Sequence, residues 1–334
     1  MDSFIYFLTF LFAILMLCKS DSIGKKFGVM SFPDKLRKFH TKSVPQVGGI
    51  IFFITFSFMT ILNYQIIFEI LNNFTGYNNL RNSFFVIALA ALFFLGLIDD
   101  RQNLQALIKF LFLALISYIL LNSIPGYEII YLKFSFYKNI DLFNYSRLIF
   151  IFIFLFYINA INMFDGINLQ SASFFLIVWT YISSYLGFDV IIAFNIVFLL
   201  MFSFFNYKNH LFLGDCGVYV LSFFTFIYLL KVYTTKTIVT TDEILVLVLF
   251  PFVDCCRVFF VRLLKKRNPL MADREHIHHI MLQNFSHKVT LLIILIGSSM
   301  PIILYKTLNL GFFITFVSFL LYYFLLLSLK KIIK

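Results

Sequence analysis

Long apolar runs separated by short polar breaks dominate this chain from end to end. Eleven runs approach the ~20 apolar residues that cross a bilayer as a helix. They lie at roughly 3–18, 47–71, 82–98, 104–122, 147–163, 171–187, 189–206, 216–233, 243–264, 290–305 and 310–329. No run alternates with period two, and all are too long for barrel strands, so the pattern predicts helices. Only Gly187 and Asp189, flanking Phe188, divide the sixth run from the seventh. The first run does not read as a signal peptide. Asp2 stands where basic residues would precede such a run, and no small-x-small cleavage site follows.

Composition strengthens this picture. The 334 residues are 61% hydrophobic, 20% aromatic and 13% charged, with mean hydropathy +0.93. A soluble domain carries about 25% charged residues. This chain cannot cover itself with polar surface, so a water-soluble domain, a disordered chain, collagen and a disulfide-stapled secreted fold are all excluded. The fold class read from the sequence is all-α, a polytopic integral membrane protein of about eleven transmembrane helices. It forms one domain over 1–334, with no internal repeat and no linker. The cysteines Cys18, Cys216, Cys255 and Cys256 form no CxxC pair and read as buried free thiols.

The net charge of +11 would suggest nucleic acid as the partner of a soluble protein. In a membrane protein its distribution matters more, because cytoplasmic loops collect Lys and Arg. Lys19, Lys25, Lys26, Lys35, Arg37, Lys38 and Lys42 follow the first run, which places the N-terminus outside and the first loop inside. The same parity holds along the chain. Arg81, Lys133, Lys138, Arg147, Lys231, Lys236 and Lys306 fall on the outer side, and the other 20 of the 27 basic residues fall inside, with a cytoplasmic C-terminus. No nucleic-acid partner is implied.

The candidate chemistry follows that parity: unusual polar groups occupy the inner loops 19–46, 99–103, 162–171, 206–216 and 263–289, and the outer loops hold nothing comparable. Gly48-Gly49 opens the second run, where bare backbone N–H groups could approach a phosphate or a carbonyl. Asp99-Asp100 ends the third run. Adjacent carboxylates at a membrane helix end are costly and point to a cation or a proton between them. Lys109, in the next apolar run, needs an anionic partner. Asn159, Asn162 and Asp165 recur every three residues along one side of the fifth run, offering oxygens to a hard cation and donors to a substrate. Phe212-Leu213-Gly214-Asp215-Cys216-Gly217 projects an Asp from a turn, although an intramembrane aspartyl protease would need glycine at Phe212. The ninth run carries Pro251, Asp254, Arg257 and Arg262, and the loop beyond it ends Asp273-Arg274-Glu275-His276-Ile277-His278-His279. A zinc site, a functionless surface cluster and a phosphate site all fit those histidines, and the phosphate reading is preferred. Acids for Mg2+ and cations for phosphate, at a membrane boundary, are the parts of phosphoryl transfer between a soluble and a lipid-borne substrate.

These motifs, over about residues 33–282, resemble the polyprenyl-phosphate N-acetylhexosamine-1-phosphate transferases of glycosyltransferase family 4 (the WecA/TagO/MraY-like group). The Asp-Arg-Glu-His-Ile-His-His form is closest to the GlcNAc-1-phosphate branch. The resemblance implies transfer of GlcNAc-1-phosphate, or another N-acetylhexosamine-1-phosphate, from a UDP-sugar to undecaprenyl phosphate. UMP is released, and a lipid-linked cell-envelope glycan such as O-antigen is begun. It implies a bacterial cytoplasmic membrane, an active site facing the cytoplasm, and Mg2+, for which Mn2+ could substitute, on Asn162 and Asp215. Asp99 or Asp100 would deprotonate or position the lipid phosphate, and Lys109 would pair with phosphate. Phe212 would stack on uracil and Asn168 hydrogen-bond it. Arg274, His276, His278 and His279 would hold diphosphate or sugar, and Asn159 and Asp165 would contact substrate. Family members can be dimers. The chain departs from the common bacterial pattern at Asn168, Gln170, Val218, Lys208 and Asn209. These departures bear on the sugar more than on the reaction. A transporter or flippase would instead spread its ionisable groups through the helix centres and to both faces. A catalytically silent relative would have no need of the membrane acids.

Overall fold

A computed structural model describes residues 2–33, 42–76, 78–268, 275–308 and 310–332. In chain order its helices are α1 (Asp2–Cys18), α2 (Ser20–Phe27), α3 (Gly48–Leu62), α4 (Tyr64–Thr75), α5 (Asn79–Gln102), α6 (Ala106–Ser123), α7 (Ser146–Phe164) and α8 (Gln170–Leu186). They continue with α9 (Val190–Tyr207), α10 (Gly214–Thr235), α11 (Thr241–Leu247), α12 (Leu249–Leu264), α13 (Ile277–Leu282), α14 (His287–Thr307) and α15 (Phe312–Ile332). Two short antiparallel ribbons join them, β1 (Met30–Ser31) with β2 (Val44–Pro45) and β3 (Tyr131–Leu132) with β4 (Ile140–Asp141).

The chain is an all-α polytopic membrane protein. Among the described residues six helices are long and apolar enough to cross a membrane, or up to nine if each bent pair is one span. Helices fall on every apolar run, but two runs read as single spans are broken. The 47–71 run bends by 104° between α3 and α4. Asn63 sits there in extended conformation, its side chain accepting the Gln65 N–H at 3.1 Å as an N-cap. The 243–264 run bends by 77° between α11 and α12. Pro251 explains the position of this break: its ring clashes with the carbonyl four residues back, and that residue, Leu247, ends α11. The narrow division at Gly187 and Asp189 is a full helix boundary. Gly187 ends α8 at φ +77°, and Asp189 caps α9 by accepting the Ile192 N–H at 2.8 Å.

Helix α10 is the central post, buried on every side and packed against α3, α5, α7 and α8. By contrast α6 leaves Leu107, Phe110, Leu111 and Leu115 exposed. Cys216 and Cys255 are buried and Cys256 is half-buried, but Cys18 is exposed at the end of α1, against expectation.

The two ends of the bundle differ. One gathers the C-termini of α5 and α7, the N-terminus of α10, and α13. The opposite end holds an acidic pair that corrects the reading of the outer loops as empty of such groups. Buried Asp242 accepts the Ser135 N–H at 2.9 Å, the Ser135 hydroxyl at 2.6 Å and the Tyr305 hydroxyl at 2.7 Å. Glu243 accepts the Tyr181 and Tyr185 hydroxyls at 3.0 and 2.7 Å and pairs with Lys306 at 3.0 Å. Each acid is saturated by protein donors, tying the β3–β4 ribbon and α14 to α11.

Candidate active site

Glycine makes the site by letting backbones touch. A methyl group on Gly49 would lie 2.1 Å from the Gly217 nitrogen, and one on Gly96 would lie 2.3 Å from the Cys216 Cα. The ends of α3 and α5 therefore meet the start of α10 with no side chain between them. The N–H groups of Gly48 and Gly49 donate to the carbonyls of Phe212 and Leu213 at 2.9 and 3.0 Å, and Phe212 N–H donates to Pro45 at 2.8 Å. The glycine pair thus holds the 208–213 loop in place. Its N–H groups are spent on carbonyls, which leaves none for a phosphate.

That docking brings the acids together. Asp100 accepts the Asp215 and Cys216 N–H groups at 2.8 and 3.0 Å, capping α10 from a different helix. Buried Asp99 takes the Lys109 ammonium at 2.5 Å, the Leu104 N–H at 3.0 Å and the Tyr219 hydroxyl at 3.4 Å. Lys109 also lies 3.7 Å from Asp215. Two carboxylates from two helices, Asp99 and Asp215, thus flank one ammonium, while Asp100 is held on the α10 N–H groups beside them.

Asp215 forms part of the wall of a cavity of ≈ 1110 Å³. Asp165, Asn168 and Phe212 share this wall, and Lys42, Lys208, His210, His287 and Lys288 bring positive charge or imidazole to it. Asp165 follows the last turn of α7. Burial pushes its carboxyl up to about 6, against the stabilising Ser171 hydroxyl bond. Asn168 donates its amide N–H groups to the Asn206 carbonyl at 2.8 Å and to Asn209 Oδ1 at 2.7 Å. Asn206 in turn accepts the Leu169 N–H at 2.7 Å and donates to the Leu211 carbonyl at 2.8 Å. Because the Asn206 carbonyl can only accept, it fixes which end of the Asn168 amide faces it and leaves Oδ1 as the free acceptor.

Other candidates lie away from the cavity lining. Asn159 turns its amide to the Leu155 carbonyl of its own helix at 2.7 Å, and neither it nor Asn162 lines the cavity. Asp99, Asp100 and Lys109 do not line it; Lys109 meets it through Asp215, and Asp100 through Asp215 and Gly214. The histidines stand behind Gly166, itself a lining residue: a methyl group there would fall 2.0 Å from His278 Nε2. His278 is buried, and burial, with His279 and His276 adding to it, holds its imidazole well below the usual range. His276 gives Nδ1 to Asp254 at 2.8 Å. Arg274 lies outside the described residues.

Among the described residues no three His, Cys, Asp or Glu side chains are placed to hold a metal ion together. The zinc reading therefore has no complete ligand set among them. A different test applies to Mg2+, which takes few protein oxygens and completes its shell with water and substrate phosphate. The Asp215 carboxylate, 31% exposed at the cavity, fits that pattern. The sequence reading overlooked Asn206, Ser171 and Tyr219, and named Asn209 only as a departure from the common pattern. Their amides and hydroxyls sit in or beside apolar runs, and no spacing marks them as partners of Asn168, Asp165 and Asp99.

Comparison with known proteins gives a family match. The family model described as glycosyl transferase family 4 matches residues 82–233, a stretch that contains Asp99, Lys109, Asp165, Phe212 and Asp215. The chain is 27% identical over 297 residues to the undecaprenyl-phosphate alpha-N-acetylglucosaminyl 1-phosphate transferase of Salmonella typhi, covering 82% of this chain and 74% of that one. It is 28% identical over 287 residues to the protein of the same name from Thermotoga maritima, covering 83% and 81%. For the same-named Escherichia coli K12 protein the identity is 26% over 292 residues, covering 82% and 74%. With the motifs gathered at one end of a helical membrane bundle and the relatives matching across most of its length, the chain is similar to members of glycosyl transferase family 4.

Proposed function

We propose that this protein transfers GlcNAc-1-phosphate, or a related N-acetylhexosamine-1-phosphate, from its UDP-sugar to undecaprenyl phosphate. UMP is released, and a lipid-linked cell-envelope glycan is begun. The protein would span a bacterial cytoplasmic membrane eleven times, with its N-terminus outside and the site and C-terminus facing the cytoplasm. One observation carries the reading. One cavity is lined by the acids Asp165 and Asp215, by the bases Lys42, Lys208 and Lys288, and by Phe212 and Asn168. A diphosphate needs the charges, and a nucleobase needs the ring and the amide.

In the proposed reaction a lipid phosphate oxygen attacks the β-phosphorus, and the bond from that phosphorus to the bridging oxygen breaks. UMP leaves with the electron pair. Phosphate monoesters have a second pKa near ~6, so the attacking group is largely a dianion at pH 7 and needs no strong base. This favours positioning roles for the acid pair. Asp100 fixes Asp215 through the α10 N-terminus, and Asp99 holds Lys109 beside it. A magnesium ion on Asp215 would neutralise charge on the diphosphate; Asn162, the second ligand the resemblance implies, lies off the cavity lining and would have to approach the ion from the last turn of α7. Phe212 would stack on the base, and Asn168 Oδ1 would accept its imide N–H. Arg274 and the histidine segment would contribute to holding diphosphate or sugar.

The test is UMP release by purified protein given undecaprenyl phosphate, Mg2+ and a panel of UDP-N-acetylhexosamines. Release should require both lipid and metal, stop with EDTA, and fall at least about 100-fold in Asp215→Asn, as expected on losing a group that stabilises transition-state charge. Undiminished release by Asp215→Asn would refute the assignment. Sugar flux across proteoliposomes without UMP release would favour a transporter instead.

A further inference from the structure

A buried carboxylate in α12 remains outside the reaction described so far. Asp254 is 2% exposed. Four donors converge on it: the Tyr323 hydroxyl at 2.6 Å, His276 Nδ1 at 2.8 Å, an Arg257 guanidinium nitrogen at 2.9 Å and the Ile277 N–H at 3.2 Å. Arg257 also donates to the Tyr323 hydroxyl at 2.7 Å and to the Glu275 carbonyl. Three elements are thereby fastened at one point: α12, α15, and the segment that opens α13.

Holding that segment does not require the contact to the imidazole. Arg257 already neutralises the carboxylate, and the bonds to Ile277 N–H and Glu275 C=O already anchor the backbone. The contact to Nδ1 does something further. A carboxylate can only accept, so it fixes the ring proton on Nδ1 and leaves Nε2, at the far edge, for another partner. The His276 ring lies parallel to His278, with centroids 5.8 Å apart, and His278 packs on Gly166 in the cavity wall. The orientation set at Asp254 thus passes through two stacked rings to the cavity.

We propose that Asp254 is a positioning residue for the transfer reaction. It sets the tautomer and angle of His276 and, through the ring parallel to it, the seat of His278 behind Gly166 in the wall of the substrate cavity. The inference rests on the transferase reading above and extends it to a residue that touches no substrate. Carboxylate partners that orient metal-ligating histidines are typically worth 10–100-fold in affinity or activity, and an effect of that order is expected for His276.

Asp254→Asn tests it. The amide still accepts from Tyr323 and Arg257, but turns an N–H toward His276 Nδ1 and moves the ring proton to Nε2. UMP release should fall about 10–100-fold in protein that remains monodisperse in detergent. In a His276→Ala background the same substitution should cause no further loss, whereas a general packing role would lower both backgrounds equally. Nitrogen-15 NMR of histidine-labelled wild-type protein, with the His276 signal assigned by its loss in His276→Gln, should show Nδ1 protonated. That measurement tests the tautomer on which the inference depends even if Asp254→Asn does not fold. Activity of Asp254→Asn within twofold of wild type, additive losses in the double variant, or an unprotonated Nδ1 would each overturn the inference. Failure of the wild type to release UMP would strike the transferase reading, which the NMR result does not depend on.

Discussion

Lys109 separates the structural from the chemical work of the acid cluster. Its ammonium lies 2.5 Å from Asp99, whose side chain is 1% exposed, and 3.7 Å from Asp215. Lys109→Met keeps the apolar stem and removes the charge. Asp99 then retains only the Leu104 N–H and the distant Tyr219 hydroxyl. Breaking a buried pair by removing one partner costs about 3–5 kcal/mol. Lys109 is 23% exposed, so water can replace part of it, and the low end, about 3 kcal/mol, applies here. At 2–4 °C per kcal/mol for large domains, melting should fall by roughly 6 °C or more. The assay is fluorescence-detected melting in detergent at one fixed heating rate, because membrane-protein unfolding is seldom reversible. The double variant Lys109→Met/Asp99→Asn removes both charges and should recover most of the lost stability while remaining inactive in UMP release. If Lys109→Met melts with the wild type, the pair carries no stability. If the double variant regains activity, the charges have no part in the chemistry.

Further predictions follow from other contacts. Gly49→Ala places a methyl group 2.1 Å from the Gly217 nitrogen, so α3 and α10 must separate. Overpacking of this kind costs about 1–3 kcal/mol, and melting should show it together with loss of UMP release. Asn206→Leu removes the acceptor for Leu169 N–H and the donor to Leu211 C=O, leaving two backbone groups unpaired at about 1–3 kcal/mol each. An unchanged melting temperature would refute the role given to Asn206. Asp165 titrates near about 6 in the folded protein, above the unfolded carboxyl at about 3.9. Its contribution is fully present below about pH 4 and is lost as pH rises through about 6. Measured in EDTA, Asp165→Asn should therefore gain melting temperature relative to wild type between pH 5 and pH 8. A constant difference across that range would contradict the burial argument.

The sequence by itself determined the class of protein and where its chemistry collects. Composition leaves no alternative to a membrane, because 13% charge cannot solvate 334 residues. Asp99, Asp165 and Asp215 stand out because ionisable groups at membrane helix ends are costly and seldom kept without use. Gly187 and Asp189 were legible as a boundary because a helix end has a local code.

Tertiary structure decided the rest. Lipid tails and a protein core are equally apolar, so hydropathy cannot distinguish buried α10 from the outward face of α6. The breaks within the 47–71 and 243–264 runs stayed hidden because the residues on both sides remain apolar, although Pro251 marked one of them. Partner choice was hidden too. No spacing shows that Asp100 would cap a helix more than a hundred residues away, or that Gly48 and Gly49 would spend their N–H groups on Phe212 and Leu213. Nor could it show that His276 would turn to Asp254. A sequence motif records which donors and acceptors the site contains, but their pairing is set by which helix ends the fold brings within 3 Å of one another, the reach of a hydrogen bond.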